Sequence, residues 1–418
     1  MKILYLCPDL GVPVLGRKGA SIHVRELVAA FIRAGHHVVL AAQVLNKSPW
    51  EQPALVGATL LQVRPGSQVN SVPGALKEFN EMLQVENSLP GEVRRILYNR
   101  DFAEDLRRRF DGARPDFIYE RASLYGTAGI VLAGELHVPL LLEVNAPLAL
   151  EQASYRSTAL GDLAARAERW TAERADAVLA VSAALREHVA GLGVEGARIH
   201  VVPNGVDPLL FQPARPDPAV RARLGLKDGP LLGFVGGLRP WHGTEILPEL
   251  CERLAKRRKK FQLVIVGDGP LLPSLRTQFA QRKLRRHVVF TGTLAHEEVA
   301  GVIRHFDVAL APYPVLDHAF YFSPLKLFEY MACGIAVVAA QAGQISEVLR
   351  HNKTGLLYPP GDVKALTACC ERLLDEPELR TRLGRAASKW IHSRYTWDHN
   401  ASRIVELARS LMRAKPNA

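Results

Sequence analysis

The sequence contains few cysteines and none of the spacings that bind metals or form redox pairs. Its five cysteines are Cys7, Cys251, Cys333, Cys369 and Cys370, and no two of them form a CxxC pair. This distribution argues against a zinc site and is typical of thiols in a reducing compartment. The first half also lacks an Asp-x-Asp motif between strands, and the chain lacks a His/Cys cluster, so no metal site is predicted.

Long hydrophobic runs are absent as well. No stretch approaches the length of a transmembrane helix. The N-terminal segment MKILYLCPDLG has only a short apolar run before Pro8 and Asp9, which is typical of a first β-strand and not of a signal peptide. We therefore expect a cytoplasmic protein. Peripheral contact with the inner face of an anionic membrane is compatible with this location and stays an open alternative.

Acidic residues are too few to balance the basic ones. Lys and Arg exceed Asp and Glu by 53 − 42 = 11. This surplus favours anionic partners such as a nucleotide, a phosphorylated lipid or a membrane surface, although a solvated basic surface explains most such charges equally well. Neither a nucleic-acid motif nor an aromatic–basic pattern accompanies the charge, so nucleic acid is not a predicted partner.

Short apolar runs alternate with helical patterns along the whole chain. Strands that are apolar throughout are typical of parallel sheets covered by helices on both faces. The alternation restarts after the Pro-rich stretch 202–219. The predicted strands are 2–7, 37–42, 116–120, 139–144, 177–182 and 199–203, then 231–238, 261–269, 287–292, 307–313 and 335–340.

This organisation predicts an α/β protein with two doubly wound Rossmann-like domains facing a cleft. The first domain is predicted over 1–204 and the second over 205–395. The remaining residues, 396–418, are predicted to form a helix that packs back on the first domain. Ligands of such sheets bind beyond the carboxyl ends of the strands.

The stretch SPLKLFEYMACG carries two charges in an otherwise apolar helical pattern. Ser323 predicts the N-cap, Pro324 the first helical position and Gly334 the end of the helix. The unpaired N–H groups of the first turn and Lys326 together favour an anion, and Glu329, one turn further, suits sugar hydroxyls. The stretch therefore predicts a nucleotide diphosphate site, with a Lys–Glu surface pair as the open alternative.

A second stretch, FVGGLRPWHG at 234–243, follows the first strand of the second half. Paired glycines let the backbone approach a ligand, and Arg239 and His242 supply cationic groups for a phosphate. The alternative is a tight turn with exposed polar residues. No G-x-G-x-x-G fingerprint or P-loop occurs in the chain, so the stretch is a weak signal alone.

Together these stretches resemble the family 4 retaining glycosyltransferases, which have the GT-B fold. The resemblance covers nearly the whole chain, in the family's order and spacing. It implies that 1–204 is the acceptor-side domain and that 205–395 is the domain that binds the nucleotide sugar. It rests on FVGGLRPWHG, VIVGDGP, FTGTLAHEEV, FDVALAPY and SPLKLFEYMACGIAVVA in the second half, on RIHVVPNGVD between the halves, and on GRKGASIHVRELVAAFIRAGHHV, YERASLYG, LLEVNAPLALE and RADAVLAVS in the first.

The resemblance implies which residues stabilise the leaving diphosphate. The family's usual lysine falls at His242, and its usual arginine falls at Gly237, with Arg239 two positions later. We therefore expect Lys326, Arg239 and His242 to act together as the catalytic residues in place of the family's Arg–Lys pair.

Other residues match donor-binding positions. Glu329 matches the glutamate that binds the ribose hydroxyls, Leu294 the main-chain contact with the nucleobase, and Gly19 the N-terminal glycine loop that faces the donor. The donor-binding residues that the resemblance implies are Gly19, Gly237, Leu294, Pro324, Leu325 and Glu329.

The chain departs from the family where the transferred sugar is bound. The family often has a first glutamate, separated from the second by seven residues, and that position is Tyr321 here. Asp317 or His318 are candidates to replace it. Asn145 falls near the first-domain position, often a histidine, that lies over the donor sugar, and we group it with Glu143. All five are therefore candidates to bind the acceptor or the donor sugar.

The activity implied by the resemblance is transfer of a sugar, with retention of configuration, from a nucleotide sugar that we expect to be a UDP-sugar. No metal or other cofactor is expected. The acceptor would be a glycan end, a lipid-linked sugar or a small molecule such as an aminocyclitol. Two alternatives stay open: a non-hydrolysing UDP-sugar 2-epimerase of the same fold, and a non-enzymatic protein that binds anions or membranes.

Overall fold

The computed structural model describes residues 1–45, 55–110, 114–155, 157–257 and 260–414. The chain forms two compact units. Unit 1 contains Met1–Pro203 and Trp397–Ala418, and unit 2 contains Asn204–Thr396. Each unit is built on one parallel sheet with helices between its strands. The predicted α/β class, with two doubly wound Rossmann-like domains, is confirmed.

Unit 1 is built on a sheet of seven strands. The order of its strands in space is β3-β2-β1-β4-β5-β6-β7, and every pair is parallel. Its elements before the chain enters unit 2 are β1 (Lys2–Cys7), α1 (Gly19–Arg33), β2 (His37–Ala42), β3 (Thr59–Gln62), α2 (Gln68–Met82), α3 (Leu89–Arg109), β4 (Phe117–Arg121), α4 (Ala128–Leu136), β5 (Leu140–Val144), α5 (Leu148–Tyr155), α6 (Gly161–Arg174), β6 (Ala177–Ala180), α7 (Ala183–Gly191) and β7 (Ile199–Val201).

Unit 2 repeats the pattern with six strands. The strand order is β10-β9-β8-β11-β12-β13. Successive strands are therefore added on one side of β8 up to β10 and on its other side from β11 onward, so the strand order reverses between β8 and β11. The elements are α8 (Pro218–Arg223), β8 (Leu231–Val235), α9 (Leu247–Arg257), β9 (Gln262–Val266), α10 (Leu272–Gln281), β10 (Val288–Gly292), α11 (His296–Ile303), β11 (Val308–Ala311), α12 (Leu325–Ala332), β12 (Ala336–Ala340), α13 (Gly343–Val348), β13 (Leu356–Tyr358), α14 (Val363–Asp375) and α15 (Pro377–His392), followed by α16 (Trp397–Ala414), which belongs to unit 1.

The predicted strands are present, but two strands were missed and several ends were placed too late. The missed strands, β3 and β13, lie at the edges of their sheets and contain four and three residues. The prediction of a strand over 231–238 was wrong beyond Val235, because Gly236 takes a positive φ of 140° and the chain leaves the sheet.

The start of α12 differs from the prediction by one residue. Its N-cap is Pro324, and Ser323 does not cap the helix. The Ser323 hydroxyl instead accepts a hydrogen bond from the N–H of Asn204 at 2.9 Å, and its carbonyl oxygen accepts one from the Asn204 side chain at 2.6 Å. The helix ends as predicted, since Gly334 follows it with a φ of 74°.

The last helix, α16, packs on α1 in unit 1. Trp397 is 2% exposed, and its ring lies 4.8 Å from the ring of His23 in an edge contact. Arg33 of α1 pairs with Asp398 at 2.7 Å. The helix therefore packs on unit 1 through α1. Residues 415–418 of the predicted C-terminal segment lie outside the described residues.

A buried carboxylic acid lies between β4 and α4. Glu120 is 1% exposed, and neither of its carboxylate oxygens has a well-formed hydrogen bond within the described residues. It fits there because residue 129 is glycine: a Cβ at Gly129 would lie 1.9 Å from its Oε2. Burial raises the pKa of Glu120 to about 8, against a smaller opposing effect of the Gly129 N–H. Glu120 is therefore mostly protonated at neutral pH.

This burial makes stability depend on pH. Between about pH 4.5 and 8 the unfolded chain loses the Glu120 proton while the folded chain keeps it, so the free energy of unfolding falls as the pH rises. The variant Glu120→Gln lacks this titration. We expect it to unfold like the wild type near about pH 5 and to be more stable by roughly a few kcal/mol at about pH 8.5.

The check is thermal unfolding across this pH range, with the exposed Glu187→Gln as the matched control. The control should follow the wild type at every pH. A constant difference between Glu120→Gln and the wild type would show that Glu120 does not hold its proton in the folded state.

Candidate functional site

The candidate site lies in unit 2, at the point where its strand order reverses. The chain leaves β8 through the loop of paired glycines and leaves β11 through a long loop that ends at α12. In doubly wound sheets, ligands bind beyond the carboxyl ends of the two strands at this point. The two stretches that the sequence singled out are therefore adjacent in the fold.

The glycine loop is needed because other groups approach its backbone closely. A Cβ at Gly236 would lie 2.7 Å from the Nζ of Lys326, so the loop and the first turn of α12 are in contact. Gly243 has a φ of 66°, and a Cβ there would lie 1.7 Å from the carbonyl oxygen of Pro312. Glycine is required at both positions by space and by backbone conformation.

Lys326 brings a buried amine to this place. Its residue exposure is 7%, and within the described residues its Nζ has no hydrogen-bond partner. The Nζ lies 4.1 Å from the ring centre of Phe234 and 5.5 Å from that of Tyr313. Burial lowers the pKa of Lys326 to about 7, against a smaller opposing effect of Glu329. An anion placed beside this amine would restore its charge.

His242 lies beside the lysine as a neutral ring. Its Nδ1 donates a hydrogen bond to the carbonyl oxygen of Gly237, which fixes the ring and leaves Nε2 without a proton. Burial, followed by the charge of Lys326, lowers the pKa of His242 to about 3. Arg239 is exposed, and its guanidinium lies 5.7 Å from the ring centre of Trp241. Arg239, which is always charged, is thus exposed, whereas the groups whose charge depends on pH are buried (Lys326) or half-buried (His242).

Glu329 does not pair with Lys326. Its exposure is 6%, and its Oε1 lies 2.8 Å from the Nε2 of His296. No ion pair joins Glu329 and Lys326 in the described part of the chain, and both are buried. The surface-pair alternative for these two charges is therefore wrong.

Main-chain groups complete the site. The N–H groups of Leu325 and Lys326 begin α12 and have no acceptor among the described residues. After β10, neither the N–H nor the carbonyl oxygen of Leu294 has a partner among these residues. These groups can therefore bind a ligand, and Pro324 sets the direction in which the helix begins.

The three residues that were candidates for the donor sugar in unit 2 differ in their surroundings. The side chain of Asp317 is 94% exposed. Tyr321 is 5% exposed and stacks against the His318 ring, with 5.2 Å between ring centres. An aromatic pair thus lies just before α12, and Asp317 extends into solvent. Their role in sugar binding stays a prediction.

In unit 1, Glu143 is the centre of a buried network. Its carboxylate accepts hydrogen bonds from Tyr119 at 2.5 Å, Arg121 at 2.8 Å and the side-chain amide of Asn145, and lies 2.9 Å from His23. Burial alone would raise the pKa of Glu143, but His23, Arg121 and Tyr119 hold it well below its usual range. Glu143 therefore orients the side chain of Asn145, which is half-buried at the edge of this network.

Several residues of these sites were missed by sequence reasoning. His23 and Arg121 join the network of Glu143, Arg25 holds the loop before α1 through the carbonyl oxygens of Val14 and Gly16, and His296 binds Glu329. None of the contacts involves neighbours in sequence. Gly19, the remaining predicted donor residue, is exposed at the first position of α1.

Within the described residues, no group of three or more His, Cys, Asp or Glu side chains is arranged to hold a metal ion. No described helix combines the length and the apolar character that crossing a membrane requires.

Two family models match the chain. One, described as Glycosyl transferases group 1, matches residues 217–390, and the other, described as Glycosyltransferase Family 4, matches residues 17–209. The chain belongs to glycosyltransferase family 4. The predicted family and the GT-B fold are thereby confirmed, and the protein is an enzyme of the hexosyltransferase type.

Curated relatives of this glycosyltransferase act on different substrates. It is 26% identical over 412 residues to the glycogen synthase of Mycobacterium tuberculosis H37Rv, covering 97% of this chain and 94% of that protein. It is 31% identical over 239 residues to the GDP-mannose-dependent alpha-(1-6)-phosphatidylinositol monomannoside mannosyltransferase of Mycolicibacterium smegmatis, covering 56% of this chain and 62% of that protein.

Solved structures show the same fold. The sucrose-phosphate synthase of Thermosynechococcus elongatus matches with a TM-score of 0.75 and 20% identity over 99% of this chain and 100% of that one. Anabaena HepE in complex with UDP matches with a TM-score of 0.68 and 19% identity over 98% of this chain and 100% of that one.

The contact between Gly236 and Lys326 can be tested by adding one methyl group. Gly236→Ala places a Cβ where the Lys326 amine lies and forces a side chain onto a φ of 140°. We expect it to lower the free energy of unfolding by about 1–3 kcal/mol. Gly301→Ala, within α11 and with its nearest other atom at 3.7 Å, is the matched control and should leave stability unchanged or slightly higher. Chemical denaturation measures both, and equal stabilities would contradict the contact.

Proposed function

We propose that this glycosyltransferase transfers a sugar from a UDP-sugar to a hydroxyl of a glycan, lipid-linked or small-molecule acceptor, with retention of configuration and without a metal ion. The observation that supports this most strongly is the buried, unpartnered amine of Lys326 at the start of α12. A diphosphate is the group that would use an amine, two free N–H groups and a glycine loop at one place.

The same arrangement suggests how the reaction is accelerated. The acceptor hydroxyl attacks the anomeric carbon on the face from which the diphosphate leaves, and a phosphate oxygen takes the hydroxyl proton. Negative charge grows on the departing phosphate as the bond breaks. Lys326 and the N–H groups of α12 are positioned before the reaction to stabilise that charge, and one such donor is typically worth about 3 kcal/mol.

The roles of the other residues follow from their positions. Arg239 is exposed beside the glycine loop and would reach the phosphates from solvent. Neutral His242 already donates its Nδ1 proton to Gly237, so toward a ligand it would only accept a hydrogen bond, at Nε2, without adding charge. Glu329 would accept hydrogen bonds from the ribose. The main chain of Leu294 would pair with the base, proposed as uracil from the family resemblance, and relatives that use GDP-mannose make guanine the alternative.

The first test is thermal unfolding of the full chain with UDP, GDP, ADP, TDP and UDP-glucose, each with and without EDTA. A ligand that binds the native state raises the free energy of unfolding by RT ln(1 + [L]/Kd), and the melting temperature rises with it. We expect stabilisation by UDP and UDP-glucose that EDTA does not reduce. Stabilisation by GDP alone would change the proposed base, loss of the effect in EDTA would contradict metal independence, and no shift with any nucleotide would contradict the donor site.

The pKa of Lys326 makes donor binding depend on pH. The free amine is mostly neutral above about pH 7, and the diphosphate favours its charged form, so binding takes up a proton and weakens as the pH rises. The Kd for UDP-glucose, whose phosphates stay ionised, should rise by up to about tenfold per pH unit between about pH 7.5 and 9.

Calorimetry in buffers with different ionisation enthalpies would detect the proton uptake directly. Lys326→Met is the control, because it should bind weakly and with a Kd that does not change with pH. A pH-independent Kd for the wild type would show that Lys326 is already charged before the donor binds.

A further inference from the structure

The contact between His296 and Glu329 joins two helices that are distant in sequence. The two residues are separated by 33 positions, and their atoms Nε2 and Oε1 lie 2.8 Å apart. Both side chains are 8% exposed. Because a carboxylate only accepts hydrogen bonds, the imidazole Nε2 carries the proton in this contact. His296 thus restricts a carboxylate that would otherwise be able to rotate.

The position of His296 is itself fixed. It is the first residue of α11, and its ring centre lies 5.1 Å from that of Phe211, which is fully buried. The residue before it is held by Glu298, whose side chain accepts a hydrogen bond from the N–H of Ala295 at 3.1 Å. The imidazole is therefore a rigid donor to Glu329.

The contact uses only one of the two oxygens of Glu329. Within the described residues no hydrogen bond is formed by Oε2 of Glu329, and no ion pair forms with Lys326 one turn earlier. This oxygen is not among the fully buried side-chain atoms that lack a partner, so it keeps some access to solvent. It can therefore accept hydrogen bonds from a ligand that donates hydroxyl protons. Its location one turn from the proposed diphosphate site matches the distance from a diphosphate to its ribose.

We propose that His296 is a positioning residue: it holds Glu329 with one oxygen occupied and the other directed at the ribose hydroxyls, and so makes the site select ribonucleotide over 2′-deoxyribonucleotide donors. This inference rests on the proposed donor site. Sites built to bind a hydroxyl reject an analogue that lacks it, because a buried polar group is then left unpaired. A fixed carboxylate would discriminate more sharply than a mobile one, since it cannot turn toward another partner.

The experiment measures the Kd of UDP and of 2′-deoxy-UDP by calorimetry, with GDP and 2′-deoxy-GDP as a second pair. The wild type should prefer the ribonucleotide by at least about tenfold. His296→Phe keeps a ring against Phe211 but has no donor, and its preference should fall toward equal binding. His296→Gln, whose amide nitrogen lies near the place of the imidazole Nε2, should keep most of the preference.

A second set of variants separates positioning from a structural role. Glu329→Ala should remove the preference, and adding His296→Phe to it should cause no further loss, because the two residues act through one contact. If His296→Phe does not fold, the comparison of His296→Gln with Glu329→Ala decides the question. A preference that is unchanged in His296→Phe, or lost in His296→Gln, would overturn the role of His296 alone. Failure of the wild type to bind either pair would overturn the donor site as well.

Discussion

The approach of the Lys326 amine to the backbone of Gly236 is the contact on which the rest of the candidate site depends. It requires a glycine with a positive φ at the end of β8, a helix that begins at Leu325, and a long loop that brings the chain from β11 to that helix. The buried amine costs free energy in the absence of a ligand, because it has lost its water without gaining a hydrogen bond. Groups whose pKa is shifted by burial in this way are concentrated at functional sites.

Two of the buried glutamates, Glu143 in β5 and Glu329 in α12, illustrate opposite solutions to one problem. Glu143 in unit 1 is surrounded by donors from four side chains, so it is stably charged and has little capacity left for a ligand. Glu329 in unit 2 has one donor and retains capacity. The number of hydrogen bonds already made, more than burial or charge, separates a carboxylate that supports the fold from one that can recognise a substrate.

The sequence was most informative where structure is local. Central strands such as β8 and β12 are apolar throughout because both their faces are covered, and this pattern is visible without any knowledge of neighbours. The edge strand β3 has two exposed and two half-buried residues, so its pattern does not stand out. The charges of α12 were noticeable for the same local reason, since Lys326 and Glu329 interrupt an apolar helix.

What the sequence could not supply are the partners of these residues. Serine is a residue type that often caps helices, but the hydroxyl of Ser323 accepts a hydrogen bond from the N–H of Asn204, 119 residues away in sequence. His296 and His23 meet their glutamates only through the packing of whole helices and strands, and nothing in their own surroundings distinguishes them from other histidines. Contacts of this kind depend on the register of the sheet, which propensity and periodicity do not specify.

The return of α16 to unit 1 has a consequence for the order in which the protein matures on the ribosome. Unit 2 is one continuous stretch of chain, Asn204–Thr396, so its core needs no segment that is synthesised later. Unit 1 is made first but lacks the helix that covers α1, including the buried Trp397 and Ile404, until the final residues emerge from the exit tunnel. The apolar surface of α1 is thus left uncovered throughout the translation of more than half the chain, which is the interval in which chaperones bind such surfaces.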